Sequence, residues 1–95
     1  MRSSPIQSAV QIVSQVASAA ADTKLLAANP SRLKASIFND STAVLYVKLG
    51  GSGASATSKS FNIAAGGYFE VYDSTADIYG YWASANGYAY VTDYQ

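Results

Sequence analysis

Apolar and polar residues alternate with a period of two through most of the chain, and clusters of turn residues interrupt the alternation at intervals of about ten residues. Leu33 to Phe38 and Ala43 to Leu49 are two such runs, joined by Asn39-Asp40-Ser41-Thr42, whose side chains bond their own backbone and tolerate turn geometry. The unit reads as a β-hairpin, closed off by Asn29-Pro30 before it and by Gly50-Gly51-Ser52-Gly53 after it. Lys59 to Ala64 alternates around Phe61 and Ile63, and Ala65-Gly66-Gly67 turns it into Tyr68 to Tyr72, a second predicted hairpin. A third joins Ile78 to Ala83 with Tyr88 to Asp93 through Asn86-Gly87, a strong two-residue turn signal.

The alternation is weakest from Met1 to Ala28. Ile6, Val10, Val13, Ala17 and Ala20 fit one seam of a helix, but Gln11 to Val16 is rich in β-branched residues and has no charged pair, and Ile12 and Val16 fall off that seam. The segment therefore reads as extended, bending over Ala20 to Asp22 into a second short piece, Lys24-Leu25-Leu26. The expected organisation is an N-terminal arm or first strand over residues 1–21 and a single β-sandwich domain over residues 22–95. The expected fold is all-β: a small antiparallel β-sandwich or barrel of about six to eight short strands with an extended N-terminal arm.

Composition narrows what such a domain is expected to do. With 95 residues, and alanine making up much of the apolar fraction, the core is thin, which favours self-association or docking on a larger surface. Six basic residues balance six acidic ones without clustering, so neither nucleic acid nor a membrane is an expected partner. There is no apolar run of about twenty residues. Polar residues from Ser4 to Gln15 also interrupt any signal-peptide core, so the chain is expected to be cytosolic when made.

Cysteine and histidine are both absent, which removes the usual general base, the activated thiol and most transition-metal ligands. An enzyme is not expected, nor a cofactor. Glu70, Asp73 and Asp77 form the one local acidic group, but their spacing fits no calcium loop, and they read as a solvent-facing strand residue and two turn formers. Gly50 to Ser58 lacks the phosphate-loop pattern and reads as a flexible surface loop, followed by Lys59 as a charge that guards a strand edge.

Tyr68, Tyr72, Tyr79, Tyr81, Tyr88, Tyr90 and Tyr94 crowd the C-terminal third beside the single tryptophan, Trp82. If register sets Tyr79 and Tyr81 opposite Tyr88 and Tyr90, four phenols form a cross-strand ladder. Such a ladder either packs a half-buried sheet face or serves as a protein interface, and less readily as a sugar platform. Those four tyrosines, with Ile12 and Val16 of the N-terminal segment, are the candidate interface residues. Asn29, Pro30 and Arg32 form a candidate structural clamp. Pro30 fixes the turn, Asn29 accepts from nearby amides, and Arg32 offers a planar fork to a carboxylate or carbonyl.

Leu25-Leu26-Ala27-Ala28-Asn29-Pro30-Ser31-Arg32, Ile37-Phe38-Asn39, Leu45-Tyr46-Val47, Ala64-Ala65-Gly66-Gly67-Tyr68-Phe69-Glu70-Val71 and Ile78 to Gly87 form an ordered series of short motifs. With the Val91-Thr92 ending, the series resembles a group of small β-rich structural proteins of tailed bacteriophages and prophages, over about Asp22 to Tyr94. The resemblance implies a virion component assembled in the host bacterial cytoplasm. The first expectation is a capsid decoration or cement protein that binds the major capsid protein lattice and itself, as a homo-oligomer with a trimer favoured. A neck or tail adaptor or fibre-base protein is the alternative, and a carbohydrate-binding module a third class. Before Asp22 the series has no counterpart.

Overall fold

The computed structural model describes residues 8–72 and 74–95, and every regular element among them is a β-strand. In chain order these are β1 (Gln11–Ala17), β2 (Thr23–Leu26), β3 (Lys34–Ser41), β4 (Leu45–Leu49), β5 (Phe61–Ile63), β6 (Tyr68–Val71), β7 (Ile78–Trp82) and β8 (Gly87–Tyr94). They form two antiparallel four-stranded sheets, sheet 1 in the order β1-β8-β3-β6 and sheet 2 in the order β2-β7-β4-β5.

The pairs β1 with β8, β2 with β7, β3 with β6 and β4 with β5 describe one long hairpin folded between β4 and β5. The further pairs β3 with β8 and β4 with β7 roll that hairpin up on itself. This is the eight-stranded jelly-roll topology, a form of antiparallel sandwich.

The three predicted hairpins are overturned. β3 and β4, β5 and β6, and β7 and β8 each lie in different sheets, so each connection crosses the sandwich instead of turning within a sheet. Alternation reports only that one face of a strand is buried, and this holds for either connection. At Asn86-Gly87 the type I′ hairpin turn would need positive φ at both residues, but Asn86 does not have it. Gly87 instead opens β8 at φ 149°, where a Cβ would run into the Asp40 carbonyl and Ser41 of β3. The glycine is required by this close approach.

Between the sheets, Ala35, Ile37, Val71, Ala89 and Val91 of sheet 1 meet Leu25, Leu26, Leu45, Val47, Ile63, Ile78 and Trp82 of sheet 2. Gly80 has no side chain where Leu45 and Leu25 press in; a Cβ there would stand 2.8 and 3.0 Å from their Cδ1 atoms. Phe61 and Phe69, with ring centroids 4.2 Å apart, bridge the edge strands β5 and β6. β1 is the edge strand of sheet 1, and its Val16 packs against the core.

The segment from Gly50 to Ser58, expected to be a flexible loop, is tied to the body. Asp22, between β1 and β2, accepts the backbone N–H groups of Gly53 at 2.8 Å and Ala54 at 2.9 Å, and Ala54 is buried. The anchor is an acidic side chain elsewhere in the chain, so the loop's own composition gives no sign of it.

Candidate functional site

Two buried polar residues close the two ends of the sandwich. Asn39 lies on the inward parity of β3, after Ala35 and Ile37, and is fully buried. Its Nδ2 donates to the carbonyls of Ala43 (2.8 Å), Ile63 (3.0 Å) and Ala64 (3.2 Å). Its Oδ1 accepts from Ser41 Oγ (2.7 Å) and from Trp82 Nε1 (3.1 Å). One amide therefore joins β3, the β3–β4 crossing, the end of β5 and the indole of β7. Sequence reasoning placed Asn39 in a turn and missed this role. The available signal was a polar residue continuing an inward-facing Ala-Ile series.

Arg32 occupies the other end, 4% exposed. Its Nε donates to Asp93 Oδ1 at 3.2 Å, Nη1 to the carbonyls of Ser74 and Ala76, and Nη2 to that of Ala27. Asn29 Nδ2 donates to the other oxygen of Asp93, and Asn29 Oδ1 accepts the Ser31 N–H. Pro30 lies in the turn between them, where the Arg32 N–H donates to the Asn29 carbonyl. The guanidinium thus binds the β2–β3 and β6–β7 connections to the end of β8.

The tyrosine ladder does not form. Tyr79 and Tyr81 point outward from sheet 2, while Tyr88 and Tyr90 point outward from sheet 1, on the opposite side of the sandwich. Tyr81 pairs instead with Tyr46 of β4, ring centroids 6.3 Å apart, and Lys59 Nζ stands 4.9 Å from the Tyr46 ring. Tyr79 lies between Lys24 and Lys48 in the cross-strand row. Three lysines that look scattered in sequence therefore gather on the outer face of sheet 2.

Sheet 1 carries a different outer face. Register sets Gln15, Tyr90, Phe38 and Tyr68 in one row across β1, β8, β3 and β6, with Tyr88 in the next row on one side and Tyr94, opposite Lys34, beyond the Ser36–Glu70 row on the other. Tyr72 follows β6, with Lys34 Nζ 5.6 Å from its ring. Phe38, Tyr68, Tyr72 and Tyr88 are 38–55% exposed, while Tyr90 and Tyr94 are half-buried. Phe38 and Tyr90 stack at 6.4 Å, Tyr88 and Tyr90 meet at 6.5 Å, and Gln15 Nε2 donates to the Tyr90 hydroxyl at 2.8 Å. The rings cover Ser36, which is buried despite its outward parity.

Glu70, in the middle of β6, is the acidic centre of this face. The Tyr68 hydroxyl donates to Oε2 at 2.6 Å, the Tyr72 hydroxyl donates to Oε1, and Lys34 Nζ lies 3.5 Å from Oε2. The two phenols, Tyr68 first, and then Lys34 hold the Glu70 carboxyl below the usual carboxylate range. The same hydrogen bonds to Glu70 push both phenols up.

The candidate interface residues are divided between surfaces: Tyr88 and Tyr90 stand on the outer face of sheet 1 with Gln15, and Tyr79 and Tyr81 on the outer face of sheet 2. Ile12 and Val16 share the inward parity of β1, where Ile12 is 48% exposed and Val16 half-buried. Phe38, Tyr68, Tyr72, Tyr94, Lys34 and Glu70 of the aromatic face were not among the candidates. Their common parity is visible strand by strand, but only the sheet order places the strands side by side. Asp73, grouped in sequence with Glu70 and Asp77, lies outside the described residues. Among the described residues no three of His, Cys, Asp and Glu converge as a metal site would require. Comparison with known protein families, with curated proteins and with solved structures finds no match for the chain.

Proposed function

We propose that this chain is a non-catalytic assembly module, and specifically a capsid decoration protein of a tailed phage that docks on the major capsid protein lattice through the outer face of sheet 1. The observation that carries the reading is the exposed aromatic face of Phe38, Tyr68, Tyr72 and Tyr88 on one side of the jelly roll. Aromatic residues mark the centres of protein interfaces, and here the central carboxylate, Glu70, is hydrogen-bonded by two phenols and paired with a lysine, which leaves Asp40, opposite Tyr88, as the exposed carboxylate at the end of the face. The jelly roll is an architecture used by viral coat domains and by lectins, so the fold agrees with the role without assigning it. Many weak identical contacts on a repeating lattice add through multivalency, which suits a small domain with a thin core.

The test is co-sedimentation of the purified chain with expanded capsids of the phage or prophage that encodes it. Wild-type protein is expected to bind and to raise the temperature of capsid disruption. The Phe38→Ala/Tyr68→Ala variant is expected to bind at least about thirtyfold more weakly, while Tyr46→Ala/Tyr81→Ala on the other face binds as wild type. Co-purification with tails and no binding to capsids would replace the decoration reading with the neck or tail one. Binding to a glycan array that is lost in Tyr68→Ala would replace it with the carbohydrate one.

A further inference from the structure

The four edge strands are unequally protected against pairing with another chain. β5 has three residues and follows Lys59. β2 has four, carries Lys24, and is broken by a register shift between Lys24 and Leu26. β6 has four and carries Glu70. Short length, charge and bulges are the usual means by which exposed edges avoid association. β1 uses none of them: its seven residues, Gln11-Ile12-Val13-Ser14-Gln15-Val16-Ala17, include no charge and no proline, and its register with β8 is unbroken from Gln11 opposite Tyr94 to Ala17 opposite Tyr88.

The free side of β1 is defined by the hydrogen bonds of its other side. Val10 and Gln95 exchange both backbone hydrogen bonds (3.1 and 2.8 Å), and the Ser18 N–H donates to the Gly87 carbonyl at 2.9 Å. In an antiparallel ladder this alternation continues between them, so Ile12, Ser14 and Val16 bond to β8. The backbone groups of Gln11, Val13, Gln15 and Ala17 therefore face outward, and among the described residues no strand pairs with them. Val10, Ile12 and Val13 along the same edge are 49%, 48% and 64% exposed.

We propose that β1 pairs antiparallel with β1 of a second copy of this chain, about a two-fold axis through Ser14. That register sets Val13 opposite Gln15, Gln11 opposite Ala17 and Ile12 opposite Val16. It overlaps the whole strand, and it joins outward-facing backbone groups only to outward-facing ones. The strand suits its own copy for two reasons. Without charges, self-pairing opposes no like charges. On the inward face Ile12-Ser14-Val16 reads as β-branched, small, β-branched in either direction, so each half-exposed Ile12 meets a Val16 of the second copy. The two four-stranded sheets become one sheet of eight strands. The inference does not rest on the capsid reading, and its test uses the chain alone.

The test is sedimentation equilibrium of the purified protein from about 1 to 100 μM. A monomer–dimer equilibrium with a Kd of about 10 μM is expected for so narrow an interface. Val13→Pro removes an outward N–H and no bond to β8, and weakens the dimer by at least about tenfold with the far-ultraviolet circular dichroism retained. Val13→Lys weakens it as well. Val13→Lys/Gln15→Glu restores it, because in this register each new lysine faces a glutamate of the other copy. A monomer across the range, a trimer, or a dimer indifferent to Val13→Pro and Val13→Lys overturns the proposal. Failure of the charge pair to restore association overturns the register about Ser14.

Discussion

The two ends of the sandwich solve one problem with opposite chemistry. Both must satisfy backbone carbonyls left over where the chain crosses between sheets, and both bury a polar side chain to do it. At one end the neutral amide of Asn39 donates to three carbonyls and accepts two donors. At the other the charged Arg32 donates to three carbonyls and needs Asp93 to balance it. The difference is in what each leaves behind when removed. An amide leaves unpaired dipoles, whereas a guanidinium leaves unpaired dipoles and a carboxylate in a nearly closed site.

Breaking the charged end has the largest expected effect. Arg32→Ala destabilises the fold by about 3–5 kcal/mol, read from urea denaturation, because Asp93 then stands without its guanidinium. Arg32→Lys recovers less than half, since one ammonium cannot span Asp93 and the three carbonyls together. If Lys restored wild-type stability, charge alone would account for this end.

The neutral end comes next. Asn39→Ala costs about 2–3 kcal/mol by the same measurement, from the unpaired Trp82 N–H and the exposed carbonyl dipoles. Asn39→Asp keeps the shape and the acceptor but loses the donors, and turns an anion toward three carbonyl oxygens. It is expected to be at least as harmful as Asn39→Ala, and an Asp variant as stable as wild type would remove the donor role from the account.

Glu70 offers the same kind of polar centre in the open, and its effect is the smallest. Its carboxyl pKa is lowered in the folded chain by Tyr68, Tyr72 and Lys34. Its contribution is therefore fully present above the unfolded carboxylate value, and disappears as pH falls through the lower folded value. Carboxyl resonances followed by NMR should give Glu70 a midpoint below the usual carboxylate range, and Tyr68→Phe should raise it. The thermal midpoints of wild type and Glu70→Gln should converge as the solution is acidified through that window. An ordinary midpoint unaffected by Tyr68→Phe would show that the exposed cluster does not persist in solution.

Strand positions and the all-β class were legible because alternation is a local consequence of burying one face. The chain does leave its strand after Ser41 and before Gly87, but Asn39, Asp40 and Ser41, read as turn residues, are the end of β3. The geometry of these breaks was not legible, because a turn within a sheet and a crossing between sheets use the same residues. That ambiguity propagated directly into the candidate site: assigning β7 and β8 to one hairpin merged two tyrosine pairs that stand on opposite sides of the molecule. Arg32 was recognisable as a fork seeking acceptors, but its acceptors at Ser74, Ala76 and Asp93 are remote in sequence. The aromatic face needed three registers at once, those of β8 with β1 and β3 and of β3 with β6.

The rolled hairpin also sets the order in which the molecule is made. Among the described residues β4 and β5 are the only strands adjacent in sequence that pair, and every other ladder joins strands from opposite halves of the chain. β1 lies at the far end of that order, since Gln11 waits for Tyr94. On the ribosome β1 emerges before each of the other described strands, and its partner β8 is the last of them to follow. Contacts so distant in sequence fold slowly, because the closure entropy must be met before the pairing returns anything. The edge best fitted to meet a second copy is therefore also the one that stays single longest during synthesis.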